Sequence, residues 1–312
     1  MPPKSTAKSS KDHLPNQMVI SMVAAVAIAH LLNDLIQAVL PAIYPMLKIE
    51  FNLSFSQIGL IALIYQITAS LLQPFVGLYT DRHPLPYLLP VGMSITLVGI
   101  TVMAFATHFY ILLLAAVLVG IGSSTFHPEA SRVARMASGG RFGTAQSAFQ
   151  VGGNSGSAIG PLLAALIIVP NGKSAVAWFT GFALLAIFIL FRVSRWLIQQ
   201  AQQPKKQSAI QHTGLKGILL YRALGVIGIL MLVKFTYIAS ISNYYTFYLM
   251  ERFNLNLVQS QVYLFAFLAA VALGTFAGGP IGDKIGRSAV IWVSFLGIIP
   301  FALVLPYVNL MW

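Results

Sequence analysis

Phe51-Asn52-Leu53 returns later in the chain as Phe253-Asn254-Leu255, and Gly77-Leu-Tyr-Thr-Asp81-Arg82 returns as Gly279-Pro-Ile-Gly-Asp283-Lys284. The two copies are separated by the same number of residues in both cases. One constant separation across two independent matches indicates that a long structural unit has been duplicated. In a strongly apolar chain, such a duplication is typical of membrane transporters made of two related halves.

The composition excludes an ordinary soluble domain. Of the 312 residues, 57% are hydrophobic and 8% are charged, whereas soluble domains carry about 25% charged residues. The absence of cysteine excludes disulfides and thiolate metal sites. The net charge of +12 is explained better by cytoplasmic loops than by a nucleic-acid partner. We expect the protein to lie in the lipid bilayer and to bind neither a cofactor nor a metal.

Apolar blocks long enough to cross a bilayer predict an all-α membrane protein. Nine spans are predicted, at about 18–41, 55–79, 86–107, 109–131, 143–169, 174–196, 218–248, 257–280 and 287–308. Most of the 19 Lys and Arg residues fall on one side of the membrane when the N-terminus is placed in the cytoplasm, which predicts this orientation.

The spans and the polar segments between them divide the chain into four regions. These are a disordered cytoplasmic tail at 1–17, a six-helix half at 18–196, a cytoplasmic linker at 197–217 and a three-helix partial half at 218–312. Six spans, a polar linker and a second repeat resemble the arrangement of the major facilitator superfamily. The resemblance implies two pseudo-symmetric helical halves, with about three more helices after Trp312. We therefore expect a truncated chain.

The second copy of the repeated loop resembles the signature loop of that superfamily. Its matching residues are Gly279, Asp283, Lys284, Gly286 and Arg287, and the first copy keeps Gly77, Asp81 and Arg82. The resemblance implies that this cluster holds the cytoplasmic gate closed while the transporter opens outward. The alternative is an ordinary turn with solvated charges.

The first span carries His30, Asn33, Asp34 and Gln37 at i, i+3, i+4 and i+7, which places them on one helical face. A carboxylate facing lipid is costly, so this face is expected to line a cavity or a helix interface. Because burial disfavours a bare carboxylate, Asp34 is expected to load and release a proton. The alternative is a structural hydrogen-bond network.

Polar residues in three later spans are also candidates for function. His127 and Glu129 flank Pro128, which breaks or kinks the fourth span, and they could relay protons there. The alternative for them is a helix end that enters water. Candidate substrate contacts, together with Asn33 and Gln37, are Gln150, Asn154, Lys234, Asn243 and Tyr244.

Three motifs together are similar to the fosmidomycin resistance protein family. They are His30-x-x-Asn33-Asp34, the run from Ser123 to Ser131 around His127-Pro128-Glu129, and the glycine-rich stretch Gly152–Pro161. The resemblance implies an efflux carrier of the bacterial inner membrane that exchanges a drug for protons. Fosmidomycin is a phosphonate, and Lys234 would suit such an anion. Ala116 stands where drug antiporters usually carry an arginine, so the role of that arginine does not carry over.

We therefore predict proton-coupled efflux of a small drug or metabolite by a multi-pass membrane protein that is not an enzyme. Protons and a small molecule would be its partners, and the full-length protein would be a monomer. The alternatives are proton-coupled uptake of a sugar or organic acid on the same fold, and a fragment that does not transport by itself.

Overall fold

The computed structural model describes residues 17–201, 217–305 and 307, and in these ranges all regular structure is helical. The helices are α1 (Ile20–Ala42), α2 (Tyr44–Glu50), α3 (Phe55–Arg82), α4 (Leu88–Ala104), α5 (Phe109–Met136), α6 (Phe142–Asn171), α7 (Lys173–Ala201), α8 (Ile218–Phe253), α9 (Leu257–Ile285) and α10 (Arg287–Val304). The predicted tail and most of the predicted linker lie outside the described residues.

Seven of these helices are long and apolar enough to cross a membrane: α1, α3, α5, α6, α7, α8 and, over Leu257–Gly278, α9. The helices at the predicted spans 86–107 and 287–308 are apolar but shorter. The prediction of an all-helical membrane fold is thus confirmed within the described ranges, while the number of spans stays a prediction.

The two copies of the duplicated turn share one backbone conformation and one capping pattern. Asn52 and Asn254 both adopt left-handed backbone conformations, with φ of 48° and 52°. Asparagine tolerates this region better than most residues, so it suits the turn that follows the preceding helix. In each copy a reciprocal cap then starts the next helix. Ser54 and Gln57 bond to each other's backbone amides before α3, and Asn256 and Gln259 do the same before α9.

The main apolar core lies among the helices of the first half. It is formed by helices α1 to α7, and its largest fully buried side chains include Tyr44, Phe126 and Phe179. A smaller cluster joins the two halves, where Ala158 of α6 packs against Leu264 and Leu268 of α9. Helix α6 therefore contacts both α1 and the second half.

Helix α5 does not end near Pro128. It continues through the proline to Met136, and Glu129 is only 2% exposed. The alternative of a helix end entering water at this point is therefore wrong. Pro128 lacks the N–H that would bond to the Ser124 carbonyl, and one turn earlier the Ser124 and Thr125 hydroxyls donate to the carbonyls of Ile121 and Gly122.

Candidate functional site

The close approach of α6 to α1 depends on glycine. A β-carbon at Gly152 would overlap the backbone carbonyl of Ala27, and one at Gly156 would overlap that of Leu31. Small residues permit such backbone-to-backbone packing of membrane helices. The glycine-rich stretch therefore lets α6 pack directly on the α1 backbone, which brings the polar face of α1 against α6.

His30 is held by α6 on one side and by its own helix on the other. Its Nδ1 atom donates to the backbone carbonyl of Phe149 at 2.7 Å, and its ring stacks on the Phe149 ring with centroids 3.9 Å apart. On the other side of the ring, Nε2 lies 3.3 Å from Oδ2 of Asp34. His30 is 4% exposed, so these contacts lie in a dry environment.

Asp34 joins His30 to His127 of α5. Its Oδ1 atom accepts a hydrogen bond from Asn33 Nδ2 at 2.9 Å and lies 3.8 Å from Nε2 of His127. The ring centroids of the two histidines are 5.2 Å apart. One nitrogen or oxygen atom from each of the three residues lies within 4.8 Å of the other two. We call His30, Asp34 and His127 the titratable cluster.

Gln37 extends the polar face of α1 one turn further. Its Oε1 atom accepts hydrogen bonds from the Tyr65 hydroxyl at 2.5 Å and the Ser123 hydroxyl at 3.0 Å. Neither Tyr65 of α3 nor Ser123 of α5 was predicted as a site residue. Among the described residues, Nε2 of Gln37 and Oδ1 of Asn33 are buried without a hydrogen-bond partner. Each of these two atoms therefore has hydrogen-bonding capacity that the described residues leave unused.

Glu129 lies apart from the titratable cluster. Its carboxylate pairs with Arg132 at 2.5 Å, and Arg132 also donates to the backbone carbonyl of Thr80 in α3 at 3.3 Å. Gly77 and Asp81 of the first loop copy line the same cleft. The structure therefore places Glu129 with the predicted gating loop rather than beside His127. Asp81 and Arg82 themselves are exposed.

Most of the remaining predicted site residues are more exposed than the titratable cluster. Gln150 and Lys234 are exposed, and the Lys234 ammonium lies 5.6 Å from the centre of the Phe235 ring. Asn154 is half-buried. Asn243 donates to the carbonyl of Ala239 at 2.7 Å, and Tyr244, 42% exposed, extends from α8 over Gly59 of α3. The structure does not bring Lys234 to Asp34, whose described partners are the two histidines and Asn33.

The second loop copy joins α9 to α10. Gly286 lies between these helices with φ of 93°, a conformation that favours glycine. The side chains of Asp283, Lys284 and Arg287, and the surroundings of Gly279, are outside what the structure describes. Their predicted role in gating stays a prediction.

Apolar helices, a duplicated half and a titratable cluster buried inside one half define a multi-pass membrane transporter. The chain belongs to the Major Facilitator Superfamily, whose family model matches residues 26–312.

Known relatives agree with this assignment. The chain is 56% identical to the Fosmidomycin resistance protein of Escherichia coli (strain K12) over 292 residues, which cover 93% of this chain and 72% of that protein. It is 42% identical to the Uncharacterized MFS-type transporter YfnC of Bacillus subtilis (strain 168) over 299 residues, which cover 95% of this chain and 73% of YfnC.

A solved structure shares the fold. It is an inward-facing, unoccupied bacterial homolog of the human lysosomal transporter Spinster, and it aligns with a TM-score of 0.62 at 17% identity. The alignment covers 84% of this chain and 62% of that chain, so this chain spans less than two thirds of that structure. The predicted superfamily, the resemblance to the fosmidomycin resistance protein family and the absence of enzymatic function are confirmed by family membership.

Proposed function

We propose that the protein exports a small drug or metabolite across the bacterial inner membrane in exchange for protons, with an anionic phosphonate such as fosmidomycin as the candidate substrate. The observation that carries this proposal is the cluster of buried His30 with half-buried Asp34 and His127 inside a membrane helix bundle. Ionisable residues within membrane spans are costly and mark proton or substrate pathways. The 56% identity to a fosmidomycin resistance protein supports the choice of substrate.

In this proposal the titratable cluster changes charge when it takes up a proton, and the substrate contacts residues around it. Asn33 and Gln37 offer the unpaired polar atoms described above. Gln150, Asn154, Lys234, Asn243 and Tyr244 complete the proposed substrate site. The two halves rock about this site while the N-terminus stays in the cytoplasm.

The two loop copies close the cytoplasmic side in the proposed cycle, and the Glu129–Arg132 pair fixes α5 to α3 beside the first copy. The regions are those predicted from the sequence: a six-helix half at 18–196, a linker at 197–217 and second-half helices from 218 onward. The full-length transporter acts as a monomer.

Proton-coupled uptake on the same fold is the second candidate, and the composition of the cluster favours it in one respect. Each proton added makes the cluster more positive, which strengthens the binding of an anion nearby. By linkage, an anion bound nearby then strengthens proton binding. This mutual strengthening favours transport of the proton and the substrate in the same direction. Exchange instead requires that proton and substrate exclude each other from the site.

Transport by the purified protein in lipid vesicles tests the proposal. Vesicles loaded with radiolabelled fosmidomycin are diluted into acidic or neutral buffer, and the rate of efflux is measured. Exchange predicts that an acidic exterior accelerates efflux and that a proton–potassium ionophore, with potassium balanced, removes the acceleration. Cotransport predicts acceleration by an acidic interior instead. Absence of any effect of the pH gradient would overturn both.

A matched pair of variants shows whether the cluster carries the coupling. His127→Gln is expected to lose the acceleration, whereas His108→Gln is expected to keep it. Both histidines belong to the α5 region, but His108 is the exposed residue that precedes the helix. Equal acceleration in the two variants would contradict a role of the cluster in coupling.

A further inference from the structure

The contact between His30 and Asp34 requires a proton between the two side chains, in addition to the hydrogen on Nδ1 of His30. A backbone carbonyl can only accept a hydrogen bond, so the bond from Nδ1 of His30 to Phe149 places a hydrogen on Nδ1. In a neutral imidazole with this hydrogen, Nε2 is an acceptor. This Nε2 atom lies 3.3 Å from Oδ2 of Asp34, which is also an acceptor when the carboxylate is ionised.

Two acceptors that face each other with little access to water repel, and the side chains of His30 and Asp34 are only 5% and 17% exposed. The contact becomes favourable when one proton lies between the two atoms. The pair is then either an imidazolium with a carboxylate or an imidazole with a carboxylic acid. Both forms have zero net charge, so the pair avoids an isolated charge inside the membrane.

The surroundings fix this arrangement. Asn33 Nδ2 donates a hydrogen bond to Oδ1, the other carboxylate oxygen of Asp34. Stacking on Phe149 fixes the ring of His30. Gly153 closes the space beside the pair, since a β-carbon there would overlap the His30 ring. Neither side chain can turn away from the other without breaking a buried contact.

His127 is held less tightly. Its Nε2 atom lies 3.8 Å from Asp34 Oδ1, beyond ordinary hydrogen-bond length, and its side chain is 26% exposed. The titratable groups that face it are His30 and Asp34 of α1, with Tyr65 of α3 one residue further, bonded to Gln37. On its own helix, Glu129 is already paired with Arg132. A proton can therefore enter or leave His127 without breaking a hydrogen bond in the described residues.

We infer that His30 and Asp34 hold one proton between them throughout the transport cycle, and that His127 is the group that takes up and releases the exchanged proton. This assignment rests on the proposed function for its place in transport, but the protonation states themselves do not depend on any substrate. The titratable cluster as a whole then alternates between net charges of zero and +1. Asp34 acts as a positioning residue for His30, with which it shares the retained proton.

Nitrogen-15 magnetic resonance of the purified transporter, labelled at histidine, tests the inference. The shifts of the ring nitrogens distinguish the two neutral tautomers from the imidazolium. The chain has six histidines, so the signals of His30 and His127 are assigned by their loss in His30→Gln and His127→Gln. When the pH is lowered from about 8 to about 5, His127 is expected to change from neutral to imidazolium while His30 keeps its Nδ1 hydrogen and does not titrate. Titration of His30 in this range, or a His127 signal that stays constant, would overturn the inference.

Asp34→Asn supplies a second measurement. An asparagine at this position can donate from Nδ2 to Nε2 of His30 and accept from Asn33 with its oxygen, so it imitates the protonated acid. In this variant His30 is expected as the neutral Nδ1-protonated tautomer, and His127 is expected to titrate still. If the titration of His127 disappears in Asp34→Asn, Asp34 is the exchanging group and the inference fails. These spectra remain informative even if vesicles show no proton-driven transport. Failure of the proposed function can therefore be distinguished from failure of the inferred protonation states.

Discussion

Gly153 offers the sharpest test of how the cluster is built, because it lies directly against the His30–Asp34 pair. A β-carbon at this position would lie 2.8 Å from Oδ2 of Asp34 and closer still to the His30 ring. Ordinary contacts of a β-carbon begin at 3.4 Å, so these groups would have to move by at least about 0.6 Å. Gly153→Ala therefore displaces the pair without changing any of its chemical groups.

The displacement is expected to impair coupling rather than folding. The His30 ring cannot move away from α6 without stretching its bond to the Phe149 carbonyl, now 2.7 Å long. A hydrogen bond that involves a charged group is worth about 1.5–3 kcal/mol, and 1.4 kcal/mol corresponds to about tenfold. We expect proton-driven transport to fall by about 10- to 100-fold. Alanine favours a helix over glycine by up to about 1 kcal/mol, which offsets part of the strain.

Two other glycines of α6 provide matched controls for vesicle transport and thermal unfolding. No atom would lie within 4 Å of a β-carbon at Gly143, so Gly143→Ala is expected to behave as the unaltered protein. A β-carbon at Gly152 would overlap the backbone of Ala27, which cannot rotate away, so Gly152→Ala is expected to lose folded protein. Normal proton-driven transport by Gly153→Ala would refute the reasoning, because it would mean that the position of His30 is not needed.

Two further predictions concern stability. Arg132→Gln leaves the carboxylate of Glu129 buried without a charged partner, so we expect a loss of about 3 kcal/mol in unfolding free energy. Glu129→Gln combined with Arg132→Gln should recover most of it, and a double variant as unstable as the single one would contradict the pairing. Ser54→Ala and Asn256→Ala each remove a helix cap and should each cost about 1 kcal/mol, measured as a lower melting temperature in detergent. Unchanged melting in both would show that the caps are not needed for stability.

Much of the site could be predicted from the first span, because its spacing decides which residues share a face. His30, Asn33, Asp34 and Gln37 recur at helical spacing, and in the structure all four lie on one face of α1 and contact neighbouring helices or one another. The partners of Gln37 could not be predicted in the same way. Tyr65 and Ser123 come from other helices, and no local pattern relates them to α1.

The different surroundings of His127 and Glu129 could have been predicted but require a closer use of helix geometry. Residues two apart on a helix point in nearly opposite directions, so one of them can face α1 while the other faces α3. The partner of Glu129 is Arg132, three residues further on the same face. Proximity in sequence suggested a joint relay, whereas the three-residue spacing indicates an ion pair.

The duplication distinguishes what the fold requires from what the proposed chemistry requires. Both copies keep the left-handed asparagine and the reciprocal cap, because each turn needs that backbone conformation and those hydrogen bonds. Two of the three titratable residues have no titratable counterpart: by the same separation, Leu232 stands for His30 and Thr236 for Asp34. An ionisable residue inside a membrane costs stability wherever it brings no function. If the proposed function holds, the His30–Asp34 pair belongs to the first half alone, and a change of charge beside it in α5 acts on one half and biases its position relative to the other.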